Sequence, residues 1–296
     1  MGGPRPAYMV FRPVQSNRPR PTHDKPSESA AAPLHPAMLR SGLRTRVVGS
    51  QIIVRKRAHS TMDLAAEYAA RGYPEGTVVF ALEQTAGRGR FGARWWSPPG
   101  ASLLFSVALW PRRAHASPAL LTFAGAVAVA ETLHRLYGIE ARIRWPNDVV
   151  VGGRKIAGVL VEARSASRVK PLAILGVGVN LTVKVAEMPP ELVSIATSVA
   201  VETGSAPDQN LTARTLLRCL DRWYRRLQEK GAGPLIRQWS RLSSTLSRRA
   251  VLSEGGRIYR GEVTRITASG QLVVRLASGT ERAFRAERTR LLSEEG

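Results

Sequence analysis

Residues 143–163 read IRWPNDVVVGGRKIAGVLVEA, and the fold class turns on this stretch. Two Val- and Ile-rich runs, Ile143–Val151 and Lys155–Ala163, flank Gly152-Gly153, which marks a tight turn and hence a β-hairpin. Toward the N-terminus, Ser117 stands before an apolar helical segment, Pro118 to Tyr137, that Gly138 stops. Leu103–Trp110 and Thr77–Leu82 are β-prone runs, and Ile52-Ile53-Val54 is a further strand. Between them Ser60 or Thr61 caps a helix through Asp63, Leu64, Tyr68 and Ala69. Toward the C-terminus come a strand over Leu172–Val179 and a helix over Leu211–Leu227. Strands and helices mix rather than strictly alternate, so the expected class is α+β, a mixed sheet flanked by helices. Past about Ser247, Ser269-Gly270 and Ser278-Gly279 punctuate short strands in which Leu272, Val274 and Leu276 alternate faces. That pattern predicts a small C-terminal β-barrel.

The 296 residues carry 44 Lys plus Arg against 22 Asp plus Glu, a formal charge of +22, and are 44% hydrophobic. Such a composition builds a core in one or two domains and excludes a wholly disordered chain. One cysteine, Cys219, excludes an intramolecular disulfide framework. Five dispersed histidines lack metal-ligand spacing, so no tightly bound protein metal is expected. No apolar run is expected to reach the roughly 18 residues of a membrane span. The expected protein is soluble and cytoplasmic. Only six of the 44 cations are lysine, and a field of this sign attracts polyanions or acidic protein surfaces. Residues 1–46 hold eight prolines and +6 of the charge, without helical period or secretory apolar segment. They are expected to form a disordered basic tail, with Met1 and Met38 as alternative starts. The expected domains are this tail, a main domain over 47–246 and the barrel over 247–296.

Three motifs carry chemistry. In Gly87-Arg88-Gly89-Arg90-Phe91-Gly92, followed by Arg94 and Trp95, glycines bring backbone N–H groups close to a ligand and arginines offer forks for carboxylate or phosphate. A solvated basic loop or an RNA-contacting arm has the same composition. In Arg144-Trp145-Pro146-Asn147-Asp148, Pro146 breaks strand pairing and lets an amide and a carboxylate project. Plain turn chemistry also fits this run. Lys155, a rare lysine in an apolar strand pair, marks either a compact functional charge or an edge strand guarded against aggregation. Gly176-Val177-Gly178-Val179-Asn180 places glycines within a strand, where a ligand or backbone approaches closely.

With Ser60-Thr61-Met62-Asp63, these motifs in this order resemble the biotin protein ligase family, over roughly residues 47–296. The resemblance implies a mixed sheet related to class II aminoacyl-tRNA synthetases and lipoate ligases, plus an SH3-like barrel. It places biotin on Ser60, Thr61, Met62, Gln84, Arg88, Gly89, Arg90 and Lys155, and the nucleotide on Arg94, Trp95, Asn147, Asp148 and Asn180. Lys155 and Arg90 are the implied catalytic residues, Arg90 restraining the reactive adenylate. Position 144 is Arg where lysine is commoner, and position 91 is Phe where a polar or basic residue is frequent. The proline-broken N-terminus is too short for a helix-turn-helix domain, so the monofunctional form is expected and specific DNA binding is not.

The implied reaction makes biotinyl-5′-AMP and pyrophosphate from biotin and ATP, with Mg²⁺ part of the substrate complex. Biotin then passes to a lysine of an acidic acceptor domain of carboxylases. A homodimer is left open. Two other readings stand beside this one: a lipoate-type ligase with the same adenylation chemistry, and a nucleic-acid-binding protein driven by the charge.

Overall fold

The computed structural model describes residues 34–112, 117–164 and 171–295. Its elements begin with α1 (Pro36–Arg40), β1 (Ile52–Ala58), α2 (Thr61–Ala70), β2 (Val78–Gln84), β3 (Ser102–Leu109) and α3 (Pro118–Tyr137). Next come β4 (Arg142–Arg144), β5 (Asp148–Val151), β6 (Arg154–Arg164) and β7 (Leu172–Asn180). The helices α4 (Pro190–Val193), α5 (Val199–Thr203), α6 (Gln209–Lys230) and α7 (Gly233–Leu242) follow. The chain ends in β8 (Arg249–Glu254), β9 (Arg257–Ile266), β10 (Leu272–Leu276), β11 (Glu281–Phe284) and β12 (Thr289–Glu295).

Seven strands form one sheet in the order β1-β2-β3-β7-β6-β5-β4. Only β1 and β2 run parallel; every other neighbouring pair is antiparallel. The expected hairpin is in fact a three-stranded meander. The cis Trp145–Pro146 bond sits in the turn between β4 and β5, because proline cannot donate to the ladder. Strands β3 and β7 are buried along their whole length, as central strands covered on both faces must be. Met62, Ala65 and Tyr68 of α2 pack on one face with Val79, Ala108 and Ile174. The other face packs on α3, itself covered by α6.

Helix α3 is long and apolar enough, by length and composition alone, to cross a membrane, contrary to the expectation that no apolar run reaches that length. Fourteen of its residues are buried, and it serves as the core helix. Its Ser117 occupies the N-cap position, but the hydroxyl donates to Ser269 O (3.4 Å) in the C-terminal sheet instead of capping. Gly138 closes the other end in the left-handed conformation (φ 65°).

The expected tail is corrected from residue 34 onward; residues 1–33 lie outside the described residues. Pro36 stands at the start of α1, where a helix tolerates proline, and Leu34, Leu39 and Leu43 are buried in the main core. His35 N–H donates to Asn210 Oδ1 (3.1 Å). The buried Asp221 of α6 accepts from the N–H groups of Arg46 (3.2 Å), Val47 (2.7 Å) and Val48 (3.0 Å). Proline content hid this docking, which needs only three leucines and one carboxylate.

The last five strands form a separate antiparallel sheet in the order β11-β10-β9-β8-β12. Its edge strands β11 and β12 do not pair with each other, so the sheet is open where a closed barrel was expected. Across its outer face Arg249 pairs in register with Glu262, Glu262 with Arg275, and Arg275 with Glu281.

Leu39 is fully buried, so Leu39→Ala leaves a cavity between α1 and the core. A loss of about 2–4 kcal/mol is expected, read as a lowered midpoint in urea unfolding.

Candidate active site

A cavity of about 760 Å³ opens on the α2 side of the seven-stranded sheet. Its floor is β6 and β7 at Gly158, Gly176 and Gly178, and its rim includes the N-terminus of α2, the Gly87–Trp95 loop and β12. Ser60, Thr61, Met62, Gln84, Arg88, Gly89, Arg90, Arg94, Trp95, Asn147, Asp148 and Lys155 all line it. Asn180 does not. It is buried at the end of β7, where its amide donates to Thr197 O (2.9 Å) and accepts from Ser102 Oγ (3.3 Å).

Ser60 caps α2, accepting from Met62 N–H (3.2 Å). Next to it, Gln84 Oε1 accepts from Thr61 N–H (2.7 Å) and Thr61 Oγ1 (3.0 Å), and Thr61 Oγ1 lies 2.8 Å from Ser106 Oγ. These hydroxyls and an amide make a compact polar cluster able to donate and accept together. Met62 lies against Gly176, where an added Cβ would meet its Sδ at 3.1 Å. The Trp95 indole lies flat in a trough: a Cβ on Gly178 would stand 2.6 Å from the ring, and one on Gly158 3.0 Å. Trp95 Nε1 is buried and finds no hydrogen-bond partner among the described residues.

The glycine–arginine loop is a folded hairpin. Gly89 N–H donates to Ala93 O (2.6 Å) and Trp95 N–H to Gly87 O (3.0 Å). Arg88 does not point its fork at a ligand. It makes two 2.8 Å hydrogen bonds to Asp63 and one of 3.2 Å to Glu162. Arg94 donates to Thr85 O (3.1 Å). Arg90 reaches across to the C-terminal sheet, donating to Thr289 O (3.0 Å) and Ala286 O, with Nη1 3.5 Å from Asn147 Oδ1. Burial pushes its pKa down to about 10, opposed by the nearby Asp148 carboxylate, and the guanidinium stays charged at neutral pH. Phe91, at the hairpin tip, adopts φ 55°, a conformation costing roughly 1–2 kcal/mol for a residue with a side chain.

Lys155 is not an open edge lysine. The segment 195–197 covers its strand edge, with Lys155 N–H donating to Ile195 O (2.7 Å) and Thr197 N–H to Lys155 O (2.9 Å). Its Nζ stands 2.5 Å from Asp148 Oδ1 and 5.5 Å from the centre of the Trp95 ring. Asp148 is also within 3.4 Å of Arg144 Nη2. The Trp145 N–H donates to Thr245 Oγ1 (2.9 Å), which in turn donates to Glu294 of β12. The sequence reading missed Ser106, which lies behind the cavity-lining Thr61, and Arg248, Arg290 and Glu294, which line the cavity themselves. No spacing signals them, because the last three stand some 90 to 200 positions from the motifs they join.

Asp63 has its pKa lowered, chiefly by the hydrogen bonds from Arg88. A depressed carboxylate stabilises the fold above its unfolded value, about pH 4, and loses that contribution as pH falls through the folded value. Asp63→Asn is therefore expected to lower Tm at pH 7, with the difference between the two proteins shrinking as pH falls below about 4. A difference in Tm that is independent of pH would remove the charge from this contact.

A profile of the biotin/lipoate A/B protein ligase family matches residues 54–180. The chain is 32% identical over 262 residues to a biotin–[acetyl-CoA-carboxylase] ligase of Mycobacterium tuberculosis, covering 83% of this chain and 93% of that one. It is also 32% identical over 225 residues to the ligase of the same name from Paracoccus denitrificans, covering 72% and 89%. Among solved structures, the biotin protein ligase from Aquifex aeolicus, in complex with biotin and ATP, shares the fold. Its TM-score is 0.73 at 24% identity, over 82% of this chain and 98% of that one. With cavity, motifs and relatives in agreement, the chain belongs to the biotin protein ligase family.

Proposed function

We propose that the cavity forms biotinyl-5′-AMP from biotin and ATP and passes biotin to a lysine of an acidic acceptor domain. The observation that carries this is the meeting of a neutral polar cluster and a cationic group on one glycine floor. Thr61 and Gln84, with Ser106 bonded to the Thr61 hydroxyl behind them, suit the donors and acceptor of a ureido ring. The floor at Gly158, Gly176 and Gly178 leaves room for a flat ring system and an aliphatic chain. Lys155, Arg90, Arg144, Arg248 and Arg290 supply positive charge around the same volume.

In the first half-reaction a carboxylate oxygen of biotin attacks the α-phosphorus of ATP, and pyrophosphate leaves. Negative charge grows on the phosphoryl oxygens, and fixed cations stabilise it without reorganising. We assign that role to Lys155 and Arg90. Asp148, with Oδ1 2.5 Å from Nζ, holds the Lys155 ammonium in place. Mg²⁺ is assigned to the nucleotide; Asp148 and Glu294 are the carboxylates lining the cavity. In the second half-reaction a neutral lysine amine of the acceptor attacks the mixed anhydride, and AMP leaves. The folded loop excludes water from that anhydride.

The C-terminal sheet, with β12 beside β8, has the strand order of an opened SH3-like module, and we read it so. We assign the protein to the cytoplasm, where ATP is at hand and the buried Cys219 remains a free thiol.

Biotin-dependent ATP–pyrophosphate exchange tests the adenylation, with lipoate as the competing substrate; exchange with lipoate alone would overturn the choice of biotin. Lys155→Ala should slow adenylate formation roughly 30- to 1000-fold while ATP binding changes little, and Lys155→Arg should recover part of the rate. Wild-type rates in Lys155→Ala would remove the lysine from the chemistry. With net charge +22 against an acidic acceptor, kcat/KM for the acceptor should fall between about 50 and 300 mM salt while adenylation stays nearly constant.

A further inference from the structure

The glycine–arginine loop has two attachments of different kinds. Its start is tied to the main domain through Arg88, whose partners Asp63 and Glu162 lie on α2 and β6. Its tip is tied to the C-terminal sheet by an arrangement of three side chains. Two guanidinium groups stand over the Phe91 ring, Arg90 on the loop and Arg290 on β12, each centred 4.6 Å from the ring centroid. Arg290 Nη2 approaches Phe91 O at 3.4 Å, and Arg90 donates to the carbonyls of Thr289 and Ala286. Phe91 is 42% exposed and left-handed, so burial does not explain its position. Its neighbours do. Two like charges repel, but each is drawn to the electron-rich π-face of the same ring, which offsets that repulsion.

We propose that Phe91 and Arg290 are positioning residues, part of a stack of two guanidinium groups on one aromatic ring that fastens the loop tip to the C-terminal sheet and so holds Arg90 at the cavity rim. This rests on the ligase reading above and deepens it. The stack joins residues 199 positions apart, so the C-terminal sheet takes part in closing the loop. An apolar residue without a π-face at 91 would keep the volume and lose the two cationic contacts. A glycine would relieve the backbone and lose the stack as well.

The test uses the full chain with Phe91→Leu, Arg290→Met, the two combined, and Phe91→Tyr. Hydrogen exchange at the amides of Gly89, Ala93 and Trp95, which close the hairpin, reads loop attachment without reference to catalysis. Single-turnover adenylate formation and the KM for ATP read positioning. Either single loss should speed exchange and slow adenylation about two- to fivefold, with KM for ATP within about twofold. The combined variant should be little worse than either alone, because both remove one shared contact. Phe91→Tyr, which keeps the π-face, should restore both readouts. Unchanged exchange in both single variants overturns the attachment, and faster exchange with unchanged adenylation overturns the positioning role. Absence of biotin-dependent pyrophosphate exchange in the unaltered chain overturns the ligase reading instead, while amide exchange still decides the attachment.

Discussion

The structure depends on a sheet that has been thinned at one place from both sides. Gly125 of α3 lets that helix approach Val159 so closely that an added Cβ would lie 2.8 Å from Cγ1. On the opposite face Gly158 and Gly178 admit Trp95, and Gly176 admits Met62. Protein interiors are packed densely enough that one methyl group at such a place must displace a neighbour. Core packing and cavity depth are therefore set by the same few positions. The floor of the site is a place where the fold has no side chain to give up.

Much of this was legible in the sequence, for identifiable reasons. The glycine positions and the Trp-Pro-Asn-Asp turn announce themselves, because backbone chemistry restricts them to few residue types. Ser60, Thr61, Gln84 and Lys155 stand near those positions and line the cavity with them. Asn180 stands apart from the lining residues, its amide at a strand end bonded to a buried hydroxyl and a carbonyl. Arg88 has the composition of an anion binder, yet its fork is matched by Asp63 and Glu162, one of them on a distant strand. Residues 34–46 were lost to proline content, although Leu34, Leu39 and Leu43 carry their docking. Arg248, Arg290 and Glu294 had no local signal at all; only tertiary structure brings them to the cavity.

The preference for arginine has a structural side as well. Many guanidinium groups end on backbone carbonyls: Arg40 on Ile52 (3.2 Å), Arg142 on Arg241 (3.0 Å), Arg214 on Met38 (3.2 Å) and Arg218 on Leu43 (3.1 Å). A fork with five donors can hold a carbonyl and still face water or a carboxylate, which a single ammonium does less well. Two of these ties, Arg214 and Arg218, hold the α1 segment onto α6. Part of the arginine content is thus mortar for the fold.

The row of Arg249, Glu262, Arg275 and Glu281 has a consequence for how the small sheet assembles. Each charge faces its opposite on the neighbouring strand, and Arg275 reaches Glu262 at 3.3 Å. A slip of one residue turns every side chain to the wrong face. A slip of two residues keeps the faces, so hydrophobic patterning alone tolerates it. Here such a slip between β8 and β9 would set Arg249 opposite Arg260, like charge against like. The alternation works as a vernier on the outer surface, rejecting the misalignment that the core cannot detect.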